Sequence, residues 1–435
     1  MELTIEKLVY GGDGLGRLPE GEVLFVPWSA PGDRLTFSRV PGTAKPAKAR
    51  IEKILSPGPD RVEPKCEAFG TCGGCQWQHV TPAAQREWKR LIVQESLQRI
   101  GKLPDVKVLD TIGSDDAAWH YRNRAQWEIE PEGEELIAST AYQLGYHATQ
   151  SNQVVEFSQC QIIPETLNQV AFTLRAFLRE SPELASALLR IEAFMNAQEE
   201  ALLLLEGEKH PQLANLAGKL HQALPQIKGV CHRDSAFKHA TPVSLWGQPF
   251  LLETLGGQTF KISCGSFFQT NRHAAERLLE TLDAHLLLGS ESLLDVYAGV
   301  GVFALHFKDR MQRVLAVENS RSAMADAREN LALNQATDVQ LKAGDARAVL
   351  RELKDSFDLA IIDPPRAGCQ PEVLQWLSSN VKRQLLYVSC NPTTLARDLK
   401  ALAAQGWFIQ AVQPIDMFPQ TYHVETVVSL IRQPE

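Results

Sequence analysis

The chain lacks any uninterrupted apolar stretch approaching the roughly 18 residues that a membrane-spanning helix needs. Its first residues, Met1-Glu-Leu-Thr-Ile-Glu-Lys7, lack the apolar core of a secretory signal. These two absences argue against membrane and exported classes and set the expectation of a cytoplasmic protein. Repeats and low-complexity tracts are also missing. Cysteine is sparse, at 8 in 435 residues; in a reducing compartment such cysteines are metal ligands or catalysts rather than disulfides. There is no surplus of positive charge, since 44 Lys and Arg against 52 Asp and Glu leave a net −8. That balance would count against a nucleic-acid partner only if the charge were spread evenly. It is not. Arg34, Arg39, Lys45, Lys48, Arg50 and Lys53 form one basic group, and Arg86, Lys89, Arg90, Arg99, Lys102 and Lys107 a second.

The length suggests two to four domains, and 44% hydrophobic with 22% charged residues is ordinary globular composition. Three divisions are expected. Residues 1–55 alternate in short β-like runs (Leu3–Ile5, Val23–Val26, Arg34–Phe37) separated by Gly11-Gly-Asp-Gly14, Ala30-Pro-Gly32 and Pro41-Gly42, the pattern of a small barrel that binds oligonucleotides. Residues 56–255 begin with the linker Ser56-Pro-Gly-Pro-Asp60 and a cysteine cluster. A helix from Pro82 to about Ile100 follows, with Thr81 as N-cap. Helices at Glu165–Arg179 and His210–Leu224 and extended runs at Gln126–Glu130 and Val154–Phe157 mark a central α+β domain. From 256 to 435, β-runs at Ser292–Val296, Arg313–Val317, Phe357–Ile362 and Gln384–Val388 alternate with helical patterns, as in a doubly wound α/β sheet.

Strand ends in the last division carry the chemistry. Asp295-Val-Tyr297-Ala-Gly299-Val-Gly301 places glycines at a strand-to-helix turn, where backbone can approach a ligand closely. The next strands end at Glu318, Gly344-Asp345 and Asp363-Pro-Pro-Arg366. Polar ends on four consecutive strands point to a nucleoside cofactor such as S-adenosylmethionine. A fifth run, Leu385-Leu-Tyr-Val-Ser-Cys390-Asn391-Pro392, ends in a thiol. Amino-methylating enzymes close the Asp-Pro-Pro turn with an aromatic residue; here Arg366 stands instead, which favours a carbon target activated by a nucleophile. Carbon 5 of uracil fits: a thiolate adding to carbon 6 makes carbon 5 enolate-like, and a base must later remove the carbon 5 proton. Cys390 is the candidate nucleophile. Glu425, in His423-Val-Glu425, is preferred as base over His423, because a carboxylate within an apolar strand requires a reason. Trp77 and Trp119-His-Tyr121-Arg122-Asn-Arg124 interleave aromatic and cationic groups suited either to splayed bases or to core packing.

Cys66-x5-Cys72-Gly-Gly-Cys75 brings three thiols into one loop, a density that normally binds metal, and Cys160 is the best candidate for a fourth ligand. Structural zinc usually draws on two short C-x2–4-C pairs, which this spacing is not. Cys231, Cys264 and Cys369 read as buried spectators.

With Ser389-Cys390-Asn391-Pro392, Asp363-Pro-Pro-Arg366, Ser266-Phe-Phe-Gln269-Thr-Asn271 and His423-Val-Glu425, the whole chain resembles the RNA (uracil-5-)-methyltransferase family, nearest its iron–sulfur 23S ribosomal RNA branch. The resemblance implies a Rossmann-like class I methyltransferase domain, an N-terminal TRAM-type barrel and a central domain carrying an iron–sulfur loop. It further implies a 4Fe–4S cluster on Cys66, Cys72, Cys75 and Cys160, and a cofactor site lined by Gln269, Tyr297, Glu318 and Asp345. Asp363 would lie between cofactor and target base, Cys390 would be nucleophile and Glu425 base. Val302 departs from the family's asparagine. The expected activity is methylation of a 23S rRNA uridine by a monomer. The alternatives are the same reaction on the tRNA T-loop, or a non-catalytic iron–sulfur RNA-binding protein.

Overall fold

The computed structural model describes residues 1–42, 47–131, 142–237 and 240–432; Lys45 of the first basic group lies outside them. Strands β1 (Glu2–Leu8), β2 (Gly14–Arg17), β3 (Val23–Val26), β4 (Arg34–Arg39) and β5 (Ala47–Ser56) close a barrel in the order β1-β2-β3-β5-β4. Period-two alternation points Leu3, Ile5, Leu24, Val26, Leu35 and Phe37 inward as its core. Charge on its outside is partly matched: Arg39 pairs with Glu22 at 2.6 Å and Lys48 with Asp13 at 3.5 Å. Arg50 and Lys53 are exposed on β5.

Helix α1 (Pro82–Ser96) begins with Pro82 behind the Thr81 cap and runs into one π-helical turn, Leu97–Gly101, closed by Lys102 in the left-handed conformation. The second basic group is not a free cationic face. Lys89 is fully buried and bonds Asp416 at 2.5 Å. Arg86 pairs with Asp115, Arg90 with Glu87 and Arg99 with Glu95. Helical periodicity shows that these cations share a helix, not that each meets a carboxylate.

The central sheet comprises β6 (Arg124–Pro131), β7 (Tyr142–His147), β8 (Val154–Val155), β9 (Leu188–Met195), β10 (Ala201–Gly207), β11 (Ile227–Asp234) and β12 (Val243–Gly247), in the order β12-β11-β10-β9-β6-β7-β8. Only β10–β11 among its pairs is parallel, across α4 (Leu213–Ala223). Helices α2 (Glu165–Glu180) and α3 (Pro182–Ser186) cover the sheet, and Trp127, Leu167, Leu174 and Leu203 fill the space between. The expected iron–sulfur loop of this region is not found. Among the described residues no group of three or more His, Cys, Asp or Glu side chains is arranged to hold a metal ion.

A hairpin, β13 (Phe250–Leu255) and β14 (Gln258–Ser263), and helix α5 (Arg272–His285) lead into the third unit. Its strands are β15 (Ser292–Val296), β16 (Arg313–Glu318), β17 (Val339–Ala343), β18 (Phe357–Ile362), β19 (Val381–Ser389), β20 (Trp407–Ile415) and β21 (Glu425–Arg432), in the order β17-β16-β15-β18-β19-β21-β20. The intervening helices are α6 (Val302–Phe307), α7 (Arg321–Leu333), α8 (Ala346–Glu352), α9 (Pro371–Asn380) and α10 (Pro392–Ala403). The first five strands are parallel, and β21 inserts antiparallel between β19 and β20. This is a Rossmann-like class I methyltransferase fold. Its strand order reverses between β15 and β18, so the ligand crevice is expected at their carboxyl ends. No helix among the described residues is long and apolar enough to cross a membrane.

Candidate active site

Four parallel strands deliver the expected cofactor residues to one edge. Tyr297 follows β15 with a φ of +68°, and Gly299 follows with +56°. A Cβ on Gly299 would meet nothing within 4 Å, so its missing side chain leaves an open cradle. Glu318, ending β16, accepts the Gly299 amide at 2.8 Å and the Ser320 amide at 2.6 Å, which fixes the turn. Asp345, beyond β17, caps α8 by accepting the Ala348 amide. Gln269 comes from outside the sheet. Its carbonyl accepts from Asn123 Nδ2, and Asn271 two residues on caps α5 and donates to the Met417 carbonyl. Behind the cradle, Asp295 is fully buried with Oδ2 on the Ala304 amide and Oδ1 unpartnered; burial pushes its carboxyl up to about 8. Nothing in the expected motif distinguished Asp295, although a carboxylate closing an apolar strand was a signal for it.

The candidate reacting groups occupy the next two strand ends. Asp363 ends β18, and burial pushes its carboxyl up to about 7. Cys390 ends β19. Ser389 lies opposite Thr426 in the antiparallel β19–β21 pair, so the same register brings Cys390 opposite Glu425. Glu425 is 6% exposed with Oε1 unpartnered. Burial raises its carboxyl well above the ordinary range, the Asp363 charge adds to this, and Arg366 opposes it. Burial likewise pushes the half-buried Cys390 thiol up to about 11, with Glu425 and Asp363 adding and Arg366 lowering. Arg366 therefore favours the ionised form of both groups that the chemistry needs charged.

Hydrogen bonds lock these loops together. Asn391 caps α10 through Oδ1 while its Nδ2 donates to the Arg366 carbonyl at 3.0 Å, and Thr394 Oγ1 reaches the same carbonyl at 3.2 Å. Below them, buried Asp398 accepts from the Cys369 amide and the Tyr387 hydroxyl. Gly368, at φ +77°, has no room for a Cβ, which would lie 2.6 Å from Asp398 Oδ2. His423 sits 3.4 Å from Arg366 Nη2 and is held neutral, its imidazole depressed to about 3 by burial, then by Arg366, Lys89 and Arg122. A neutral ring beside a guanidinium is a poor base, which counts against His423 in that role.

Beside this centre lies a cavity of about 400 Å³ whose lining includes Arg366, His423, Arg122 and Phe418 together with Cys66, Cys72, Cys75 and Cys160. A second groove, of about 490 Å³, shares Gly73, Gly74, Gln76 and Tyr146 with it and reaches Asp13 and Trp28 of the barrel. The four cysteines thus line one cavity, but the expected 4Fe–4S site on them is corrected, because no metal-holding group is formed among the described residues. Burial raises the Cys72 thiol to about 11 and also raises Cys75 and Cys160, with the neighbouring cysteines adding to each. Of the aromatic candidates, Trp77 is fully buried with Nε1 on the Gly12 carbonyl, and Tyr121 donates to the Pro419 carbonyl. Arg124 is held by Glu192 and the Ser266 carbonyl. These three pack the interior; Arg122 faces the cavity.

The arrangement agrees with known proteins along the whole chain. The tRNA (Uracil-5-)-methyltransferase family profile matches residues 84–433. An uncharacterised RNA methyltransferase of Halalkalibacterium halodurans is 34% identical over 99% of this chain and 96% of its own length. A Synechocystis counterpart is also 34% identical, over 99% and 95%. Among solved structures, the Pyrococcus abyssi tRNA (uracil-54, C5)-methyltransferase in complex with S-adenosyl-L-homocysteine is 26% identical with a TM-score of 0.74, covering 99% of both chains. The chain belongs to the tRNA (Uracil-5-)-methyltransferase family. It is an S-adenosylmethionine-dependent RNA (uracil-5-)methyltransferase. The expected 23S rRNA branch is corrected at the same time. That assignment leaned on the cysteine loop as a cluster site, whereas the matched family and the similar structure are named for tRNA.

Proposed function

We propose that this enzyme methylates carbon 5 of a uridine in the T-loop of tRNA, with Cys390 as nucleophile and Glu425 as base. The register that sets Cys390 opposite Glu425, beside the Asp363–Arg366 turn, is the observation that carries the reading. The tRNA target rests on the matched family and on the Pyrococcus abyssi enzyme named for uracil-54. The cofactor supplies an electrophilic methyl group on a sulfonium. Gly299, Glu318, Asp345, Tyr297 and Gln269 would hold it: the open space at Gly299 and the carboxylates at consecutive strand ends suit a cationic nucleoside.

Cys390 gives its proton to solvent water, and Sγ bonds carbon 6 of the uracil while the carbon 5–carbon 6 π electrons move into an enolate. Carbon 5 would then take the methyl group from the sulfonium, whose S–CH3 electron pair stays on sulfur as a neutral thioether. Glu425, as carboxylate, removes the carbon 5 proton; the C–H pair re-forms the double bond, and the carbon 6–sulfur pair returns to Cys390. Asp363, held by its proline turn, orients the base. His423 stays uncharged beside Arg366. A stacked or paired uridine hides the carbon 6 face, so the base must first be turned out of its stack.

Methyl-labelled cofactor offered with unmodified tRNA, tRNA carrying cytidine at the T-loop target, and 23S rRNA tests the reading. Label is expected in the first alone. Incorporation that ignores the T-loop substitution, or that appears only in 23S rRNA, contradicts it.

A further inference from the structure

The segment 416–424 that carries His423 and leads into Glu425 is a loop, yet it is held as tightly as a strand, and the holder is α1. Gln85, fully buried, accepts the Gln420 amide at 2.8 Å, while its Nε2 reaches Gln420 Oε1 at 2.9 Å, the Val80 carbonyl at 2.8 Å and the Trp77 carbonyl at 3.0 Å. One turn later, buried Lys89 bonds Asp416 Oδ1 at 2.5 Å and the Phe418 carbonyl at 2.9 Å. Gln420 is a non-glycine residue at φ +68°, a conformation that costs energy unless its surroundings impose it. Its carbonyl takes the Gln76 and Trp77 amides, so both ends of the residue are fixed from the same side. The π-helical turn that prolongs α1 packs on α10, the helix that starts beside Cys390; a Cβ on Gly101 would lie 3.2 Å from the Ala396 carbonyl. One helix therefore touches the element behind the nucleophile and the loop in front of the base.

We infer that Gln85 and Lys89 are positioning residues that set the placement of Glu425 against Cys390, and so govern the proton-removal step rather than RNA binding. This rests on the reading of Glu425 as the base. A buried lysine whose charge is consumed by a carboxylate contacts no phosphate, and Gln85 is closed off from solvent. What they control is a loop position, and displacement of a reacting group by about 1 Å can cost up to a hundredfold in rate. If proton removal slows while thiol addition and methyl transfer continue, the methylated RNA stays bonded to Cys390.

The test compares the parent, Glu425→Gln, Gln85→Met and the double variant Lys89→Met/Asp416→Asn. The double variant removes both buried charges together, because one left alone would unfold the site. Each is turned over with tRNA and cofactor. Readouts are kcat, KM for tRNA, and the fraction of enzyme in a denaturant-resistant complex whose uridine carries the methyl group. Gln85→Met and the double variant are expected to lose about 10- to 100-fold in kcat, keep KM within about twofold, and accumulate the methylated adduct severalfold above the parent. Glu425→Gln accumulates it most. Loss of kcat with no adduct, or kcat and KM changing together as in a merely loosened fold, overturns the inference while Glu425→Gln still traps the adduct. Absence of adduct in Glu425→Gln overturns the base assignment and the inference with it. A melting profile identifies any variant that does not fold, and the folded one of the two then decides.

Discussion

Among the described residues lie two seven-stranded sheets, and they use their edges differently. In the central sheet every pair except β10–β11 is antiparallel, so successive strand ends point to opposite sides and no single edge collects side chains. The methyltransferase sheet has five parallel strands, whose carboxyl ends bring Gly299, Glu318, Asp345, Asp363 and Cys390 to one crevice. Thiols make the same contrast. Cys390, on a strand end, faces a carboxylate through a fixed register. Cys66, Cys72 and Cys75, in a loop, line a cavity without forming a metal-holding group among the described residues. Dense motif spacing identifies neighbours in sequence; strand register identifies which groups can react.

The largest effect expected on the reactive edge is at Glu425. Glu425→Gln should lower kcat by roughly 10²–10⁴-fold in a tRNA methylation assay. A parental rate would show that the geometry of the register has no catalytic consequence and would return the base role to another group.

Arg366→Met sharpens the electrostatic half of the contrast. Arg366 lowers the thiol of Cys390 and the carboxyl of Glu425, so its loss raises both and leaves less of each ionised at a given pH. The rising limb of kcat/KM against pH should shift to higher pH, with a loss of about 10- to 100-fold at neutrality, of the order of 1–3 kcal/mol. An unshifted limb contradicts this.

Much of the reactive edge could be read from sequence because buried parallel strands are apolar runs punctuated by polar ends. Ser292–Val296 and Phe357–Ile362 were expected with the bounds that β15 and β18 show. The barrel was harder. β2 is written Gly-Leu-Gly-Arg and resembles a turn, and β5 carries so many charges that it reads as a basic patch rather than a strand. Contacts between distant positions were invisible: nothing local in α1 reveals that Gln85 meets Gln420, or that Lys89 meets Asp416. A lysine on an amphipathic helix reads as solvent-facing until the partner carboxylate is seen. The cysteine loop showed the reverse failure, a clear spacing whose implied ligand geometry does not form.

Asp295 gives a stability test of the same sheet. Its folded carboxyl is raised to about 8, so the folded protein holds a proton that the unfolded chain, ionising near the ordinary value of about 4, has released. Stability from this group is fully present below pH 4 and is lost as pH rises towards 8. Asp295→Asn should therefore raise the unfolding free energy at pH 8 relative to the parent by roughly 1–2 kcal/mol, read in a denaturant melt, with no gain at pH 4. An equal difference at both pH values would exclude a raised carboxyl. The smallest effect is expected on the outer face of α1. Arg90 is already paired with Glu87, so Arg90→Ala should change tRNA affinity by less than about 0.5 kcal/mol in a binding titration.

The most direct measurement uses a tRNA T-arm carrying 5-fluorouridine at the target, because fluorine at carbon 5 cannot be removed as a proton. Incubated with enzyme and cofactor, it should give a methylated, denaturant-resistant complex whose RNA maps by mass to the peptide containing Cys390, and Cys390→Ala should give none. A complex that forms on another residue, or full methylation of ordinary tRNA by Cys390→Ala, would contradict covalent activation of the uracil by this thiol.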